Sequence, residues 1–239
     1  MSNLEWQTGK VVEIIDETPN TRRLFIEVPS VQRFDFIPGQ FVTLNLPISE
    51  KKNKRLRSYS ISSAPDASNR FELIIVLVDD GSGSHYIFNN LTVGDEVVFR
   101  GPSGVFLLPE KMEQDLFMIC TGTGIAPFRS MIQYVLKEGK PSKNIFLVFG
   151  TRTKSDLLYH TEMNELQQNY PQFHYIPVLS REDWDGKTGY VHAAYKEIAI
   201  HTPQAHFMIC GWKKMVDEAK GQLLEMGFDK KQIHFELYG

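Results

Sequence analysis

The sequence predicts two unlike domains in series: an antiparallel β-barrel over residues 1–109, then a doubly wound parallel sheet with covering helices over residues 110–239. Three observations predict it. The first half strings together about six short runs rich in β-branched and aromatic residues, punctuated by Gly and Pro, as a small closed sheet requires. The second half alternates apolar strand-length runs with amphipathic helix-length runs, the pattern of a parallel sheet covered on both faces. Composition changes between the two patterns at Pro109-Glu110-Lys111.

In the barrel, residues 10–17 and 21–28 are strands separated by the turn Thr18-Pro19-Asn20. Pro38-Gly39-Gln40 turns into a strand over 41–46, and further strands follow over 71–78 and 96–100. Between them Arg57-Ser58-Tyr59-Ser60-Ile61-Ser62-Ser63 alternates as a half-buried strand does. That alternation puts Arg57, Tyr59 and Ile61 on one face and Ser58, Ser60 and Ser62 on the other. A cation, an aromatic plate and hydroxyls close together suit a flavin dinucleotide; a solvated barrel strand reads the same way. Gly81-Ser82-Gly83-Ser84 precedes His85-Tyr86-Ile87-Phe88. Here Ser84 is expected to cap a short helix whose N–H groups face an anion, or the stretch is a plain hairpin loop. Lys51-Lys52-Asn53-Lys54-Arg55 is either a solvated loop or a docking patch for an acidic protein.

In the second half, strands are expected over 115–120, 144–149, 174–179, 205–210 and 233–237, and helices over 127–137, 157–169 and 213–226. Phe128, Met131, Ile132 and Val135 share one helical face, and Leu157, Leu158, Met163 and Leu166 another. Thr121-Gly122-Thr123-Gly124-Ile125-Ala126-Pro127 joins a strand to a helix. Its glycines let backbone approach a phosphate, and Pro127 suits the first helical position, where an N–H is not needed. It departs from the GxGxxG fingerprint, with Pro127 in place of the third glycine, but still places a dinucleotide at the carboxyl ends of the strands.

Composition narrows the function. A net charge of −3 gives no basic footprint for nucleic acid. No apolar run nears the roughly 18 residues of a membrane helix, so membrane insertion is not expected, and residues 1–6 lack a basic-then-apolar leader. The two cysteines, Cys120 and Cys210, are too few for a four-thiolate iron–sulfur cluster and each ends an apolar run. They are expected as buried thiols rather than a disulfide. The seven histidines show no metal spacing, so no metal site is expected. A reducing cytoplasm fits these features.

Taken in order, Arg57-Ser58-Tyr59-Ser60, Gly81-Ser82-Gly83-Ser84, Gly122-Thr123-Gly124-Ile125-Ala126-Pro127 and Cys210-Gly211 resemble the ferredoxin–NADP reductase family, from about residue 10 to the end. The resemblance implies an FAD-binding barrel followed by a nicotinamide-dinucleotide domain. By it, Arg57 would bind the FAD pyrophosphate, Tyr59 would lie against the isoalloxazine, and Ser60 would hydrogen-bond near flavin N5, with Ser58 beside them. The backbone at Gly81 and Gly83 and the Ser84 hydroxyl would hold the pyrophosphate, with Ile74 and Val76 flanking the flavin. Thr121, Gly122, Thr123, Gly124 and Pro127 would cradle the nicotinamide nucleotide. Cys210, with Gly211 beside it, would approach the nicotinamide and the reacting flavin edge. Trp212-Lys213-Lys214-Met215 stands where family members often have prolines after Cys-Gly. The ending His234-Phe235-Glu236-Leu237-Tyr238-Gly239 is similar to plant-type reductases, in which a terminal Tyr covers the flavin; Gly239 is one residue extra. Tyr238 would be that cover, or an aromatic of a closing strand, and Glu236 would stabilise or relay a proton.

Coenzyme choice rests on Ser180-Arg181-Glu182, with Lys187 and Tyr190 following; Arg152, after Gly150-Thr151, would add charge. A Ser-Arg pair after a strand resembles the site for the 2′-phosphate in NADPH-using members: Arg can grip phosphate with a planar fork and Tyr can stack on adenine. NADPH is expected, with NADH possible. The acceptor implied is a ferredoxin or flavodoxin-like carrier on a separate chain. Competing readings are the reductase component of an oxygenase, a flavin or cytochrome reductase, and a nucleotide-binding subunit without turnover.

Overall fold

The computed structural model describes residues 5–238. The leader reading on residues 1–4 and the extra Gly239 lie outside the described residues. The chain divides into two units, one running to Leu108 and taking in Arg129–Tyr134, the other made of Pro109–Phe128 and the chain from Val135.

The first unit contains strands β1 (Trp6–Thr18), β2 (Thr21–Glu27), β3 (Phe41–Asn45), β4 (Leu56–Ser60), β5 (Arg70–Val76) and β6 (Glu96–Ser103), with helix α1 (Ser82–Asn89) after β5. Their order is β4-β3-β6-β1-β2-β5, each pair antiparallel. Alternate residues point inward and bury Leu24, Ile26, Val42, Leu44, Leu73 and Phe99 in one apolar cluster. Phe71 meets Phe34 and Phe99 at ring-centroid distances of 4.9 and 5.3 Å. β1 begins at Trp6, four residues before its expected start, because β6 offers partners from Arg100 downward. Two register shifts, at Val11/Glu13 and Asp16/Thr18, bend this 13-residue strand so that it serves both β6 and β2.

The run 57–63 is not one strand. β4 ends at Ser60; the Ile61 N–H then bonds the Gln40 carbonyl at 3.0 Å, and the Ser62 N–H bonds the Glu72 carbonyl at 2.8 Å. Ile61 bridges to Leu73 and closes the sheet on itself. The three serines therefore do not share a half-solvated face: Ser58 is exposed, while Ser60 and Ser62 are buried. Helix α1 also starts earlier than expected. Gly81 is its N-cap, and Ser84 sits third in the helix rather than capping it.

Beneath this crossing lies a buried ion network. Glu72, 2% exposed, accepts from Arg23 Nε at 2.7 Å and Nη2 at 3.2 Å. Its Oε2, which takes Arg23 Nη2, also accepts Arg129 Nη1 at 2.8 Å, and the same nitrogen bonds the Ser62 carbonyl at 2.9 Å. Arg129 belongs to the stretch of chain that clusters with the barrel.

The second unit is built from β7 (Leu116–Thr121), α2 (Ile125–Lys137, apart from Arg129–Tyr134), β8 (Ile145–Thr151), α3 (His160–Asn169), β9 (Phe173–Leu179), β10 (Lys187–Thr188), α4 (Val191–Ala199), β11 (His206–Trp212), α5 (Lys213–Glu225) and β12 (Ile233–Tyr238). The sheet is wholly parallel, in the order β10-β9-β8-β7-β11-β12. The chain starts centrally, moves outward one way, then returns to start again at β11. The order thus reverses between β7 and β11, where doubly wound sheets bind ligands. Val191, Ala194 and Tyr195 of α4 and Val216, Ala219 and Leu223 of α5 bury the strand residues Phe117, Ile119, Phe207 and Ile209.

Two helix starts and one additional helix differ from expectation. Helix α2 begins at Ile125 after a 3-10 turn, Gly122–Gly124, so Pro127 is third rather than first; the first-turn N–H groups lack acceptors in any helix, so the ring still fits. Helix α3 begins at His160, because Tyr159 takes a left-handed conformation (φ +53°) and stops the pattern running back to Leu157. Helix α4 was not expected. Nine residues long, it carries a face at 191, 194, 195 and 199 too short to stand out between β10 and β11. Cys120 and Cys210 are free and buried, as expected. Among the described residues, no helix is long and apolar enough to cross a membrane.

Candidate active site

In the first unit, β4 and the start of α1 meet. The Arg57 guanidinium donates to the Ser82 hydroxyl at 3.2 Å, and to the carbonyls of Leu56 at 2.8 Å and Lys54 at 3.1 Å. Its stem lies so close to Gly83 that a Cβ there would sit 2.9 Å from Arg57 Cγ and 3.1 Å from Nε. A side chain at position 83 would have to push that stem aside. The first helical bond runs from the His85 N–H to the Gly81 carbonyl at 2.9 Å. The N–H groups of Ser82, Gly83 and Ser84 thus precede it, and the first turn carries no acidic residue and no side-chain cap. A cation beside an unblocked helix start fits a pyrophosphate. The Ser84 hydroxyl is turned inward: it receives the Val78 N–H at 3.1 Å and donates to the Gly81 carbonyl at 2.8 Å. What it does is fasten the loop.

Around this cradle, Tyr59 is half-buried against the barrel core, and burial pushes its phenol up to about 12 against the pull of Arg57. Ser60 is 5% exposed at the end of β4. The Ser58 hydroxyl pairs with that of Thr43 at 3.0 Å. Ile74, buried, and Val76, half-buried, alternate along β5 on one face. Arg22, which sequence reasoning passed over, holds the far end of α1: it donates to the Phe88 carbonyl at 2.7 Å and lies over the Phe88 ring. Alternation marks Arg22 only as an outward cation of β2.

In the second unit, the end of β7 faces the end of β11 at the reversal point. A Cβ on Gly124 would sit 2.5 Å from the Cys210 carbonyl oxygen, so the 3-10 turn packs directly on the β11 backbone. Gly122 takes φ +53° with open space around it. Across from it, Gly211 takes φ +153° against Thr121. The Thr121 hydroxyl is buried and has no hydrogen-bond partner among the described residues. An unanswered hydroxyl, a turn of small residues containing Thr123, and a helix start without carboxylates fit a bound nucleotide.

Cys210 pairs in register with Cys120 on one side and Glu236 on the other, and Trp212 pairs with Tyr238. Burial first, then Glu236 and Cys120, push the Cys210 thiol well up, and the neighbouring Tyr238 hydroxyl pulls the other way. The thiol therefore stays neutral. The structure brings Cys210, Glu236 and Tyr238 together at one end of β11 and β12.

A third cluster lies where β8 and β9 end. Their ladder runs to Thr151 and Leu179 and then continues: the Ser180 N–H bonds the Thr151 carbonyl at 3.0 Å and the Arg181 N–H bonds the Arg152 carbonyl at 2.9 Å. Arg152 and Arg181 are thereby neighbours, both exposed. Tyr190, 75% exposed, is the N-cap of α4. Lys187 differs: its ammonium lies 2.5 Å from Glu197.

Together, the barrel with its anion cradle and the doubly wound sheet with its reversal-point turn define an oxidoreductase that binds FAD and a nicotinamide dinucleotide. Two family models agree, an oxidoreductase FAD-binding domain over residues 8–107 and an oxidoreductase NAD-binding domain over residues 118–221. The chain belongs to the ferredoxin–NADP reductase family. It is 34% identical over 242 residues to ferredoxin–NADP reductase B of Sorangium cellulosum, covering 96% of each chain. It is 30% identical to the glycine betaine monooxygenase reductase subunit of Chromohalobacter salexigens, covering 98% of this chain but 66% of that one. Among solved structures it resembles a ferredoxin–NADP⁺ reductase from Neisseria gonorrhoeae with bound FAD and NADP, with 28% identity, a TM-score of 0.82 and coverage of 97% and 98%.

Proposed function

We propose that this protein moves hydride between NADPH and N5 of FAD, and passes single electrons to or from a ferredoxin or flavodoxin on a separate chain. The hydride chemistry belongs to the cofactors; the chain supplies placement and electrostatics. Arg57 and the N–H groups at the start of α1 hold the FAD pyrophosphate, Tyr59 backs the ring, and Ser60 hydrogen-bonds near N5. The turn Gly122–Gly124 and the Thr121 hydroxyl hold the nicotinamide nucleotide. Cys210, kept neutral, offers a small uncharged surface beside it. Glu236 and Tyr238 flank that surface, Tyr238 as a cover over the flavin and Glu236 as a proton holder.

The observation that carries NADPH over NADH is the adjacency of Arg152 and Arg181, held by the 2.9 Å backbone bond between them. Planar guanidiniums suit a phosphate dianion. Two buried free thiols favour a reducing compartment, and we place the protein in the cytoplasm. Two cysteines cannot hold a four-thiolate cluster among these residues, which supports a carrier outside them. The Chromohalobacter relative supports a second acceptor, an oxygenase component, for the same reductase core.

The test is optical. Purified protein is expected to be yellow, and NADPH added without oxygen is expected to bleach it faster than NADH. Colourless protein unable to take up FAD would support a nucleotide-binding subunit instead; bleaching faster with NADH would overturn the coenzyme assignment. A panel of ferredoxin, flavodoxin, free flavin and cytochrome then separates the acceptors.

A further inference from the structure

The loop carrying Arg181 also carries Glu182, an exposed carboxylate at a place read as a phosphate receptor. A free carboxylate there would repel the ligand. It is not free: Glu182 Oε2 accepts the backbone N–H of Lys154 at 2.7 Å. Lys154 opens the short 3-10 turn Lys154–Asp156 that follows Arg152 and Thr153, and a capping box between Thr153 and Asp156 closes that turn on itself. Three successive links therefore join the two segments: Ser180 to Thr151, Arg181 to Arg152, and Glu182 to Lys154. The first two are backbone bonds that nearly any residues could make. The third depends on the side chain at 182. Among the described residues neither Arg152 nor Arg181 has a carboxylate partner, whereas Arg22, Arg23, Arg33, Arg70 and Arg129 each have one.

We propose that Glu182 is a positioning residue for coenzyme choice. By clamping the Arg152 segment to the Arg181 segment, it holds two exposed guanidiniums as one receptor for the 2′-phosphate of NADPH. Two long side chains on independently moving loops would meet a phosphate only after losing that freedom, whereas a fixed pair meets it ready. Turning the carboxylate onto a backbone donor also removes it as a rival partner for the guanidiniums. The proposal rests on the NADPH reading above.

The experiment uses the full chain with FAD bound. Binding of 2′,5′-ADP and of 5′-AMP is measured by calorimetry, and KM and kcat with each coenzyme, for the natural protein, Glu182→Ala, Glu182→Gln and Arg181→Ala. Glu182→Ala is expected to weaken 2′,5′-ADP binding about tenfold, the scale of one charge-assisted hydrogen bond, and leave 5′-AMP unchanged. The NADPH KM should rise with kcat held, and the NADH KM should not move. Glu182→Gln, whose amide oxygen still accepts the Lys154 N–H, is expected to restore most of the loss. If the natural protein and Arg181→Ala both fail to distinguish 2′,5′-ADP from 5′-AMP, the NADPH reading falls and the clamp with it. If the natural protein distinguishes them, Arg181→Ala loses that preference and Glu182→Ala keeps it or binds 2′,5′-ADP more tightly, the clamp alone is overturned.

Discussion

The Arg57 stem lies on Gly83 and its head on Ser82, so substitutions at 57 and 83 reach the same spot from two strands of argument. Arg57→Ala removes the cation and is expected to weaken FAD binding by about 1.5–3 kcal/mol, the range for hydrogen bonds to a charged group. Gly83→Ala keeps the cation but pushes its stem, and a smaller loss in the same direction is expected. Flavin fluorescence titration of the apoprotein reads both; two unaltered dissociation constants would remove this corner from the cradle. Burial raises the Cys120 and Cys210 thiols well above the ordinary range. The sign is clear: a raised thiol pKa means less thiolate at neutral pH, and thiolate is the reactive form. Neither cysteine should be alkylated by iodoacetamide in the native protein, while both should be after unfolding. Mass spectrometry showing rapid native labelling would contradict the neutral-thiol assignment.

At the scale of elements, the crossing from β4 to β5 is secured by charge as well as by backbone. Glu72 answers Arg23 and Arg129 in a buried setting. Removing the carboxylate leaves two guanidiniums without it, and breaking a buried pair typically costs about 3–5 kcal/mol. Glu72→Ala should lower the urea midpoint accordingly, with Glu72→Gln in between; a midpoint within error of the natural protein would show that the network adds nothing net. Little of this was legible beforehand. Glu72 sits in an apolar run, Arg129 in an amphipathic helix, and each reads alone as an ordinary surface charge. The partners lie 49 and 57 residues apart, so no local pattern links them. The turn Thr121-Gly122-Thr123-Gly124 was legible, because a strand, a glycine turn and a helix are contiguous. Helix α4 was not: its short face is fixed by packing on β7, β8 and β9, which belong to other stretches of chain.

For the molecule as a whole, the proposed electron carrier would find this protein by diffusion, and Lys51, Lys52 and Lys54 form an exposed basic run of the barrel unit. Arg55 is tied to the Ser49 carbonyl and serves the loop itself. Lys51→Glu with Lys52→Glu should slow reduction of an acidic protein acceptor, most at low salt where charges reach farthest, and leave reduction of a small inorganic acceptor alone. Equal rates with the protein acceptor at all salt concentrations would dismiss the patch. By itself the sequence determined the barrel-then-parallel-sheet order, the sheet types and the family, and it marked the stretches proposed to hold the cofactors. These follow from periodicity and short motifs, in which the residues that act together are neighbours in the chain. Tertiary structure alone decided where β4 stops, that Ser84 turns inward, that Lys187 answers Glu197, and that Arg152, Arg181 and Glu182 share one edge. Each of these is a choice of partner, and in a folded chain partners are set by the pairing of strands, not by distance along the sequence.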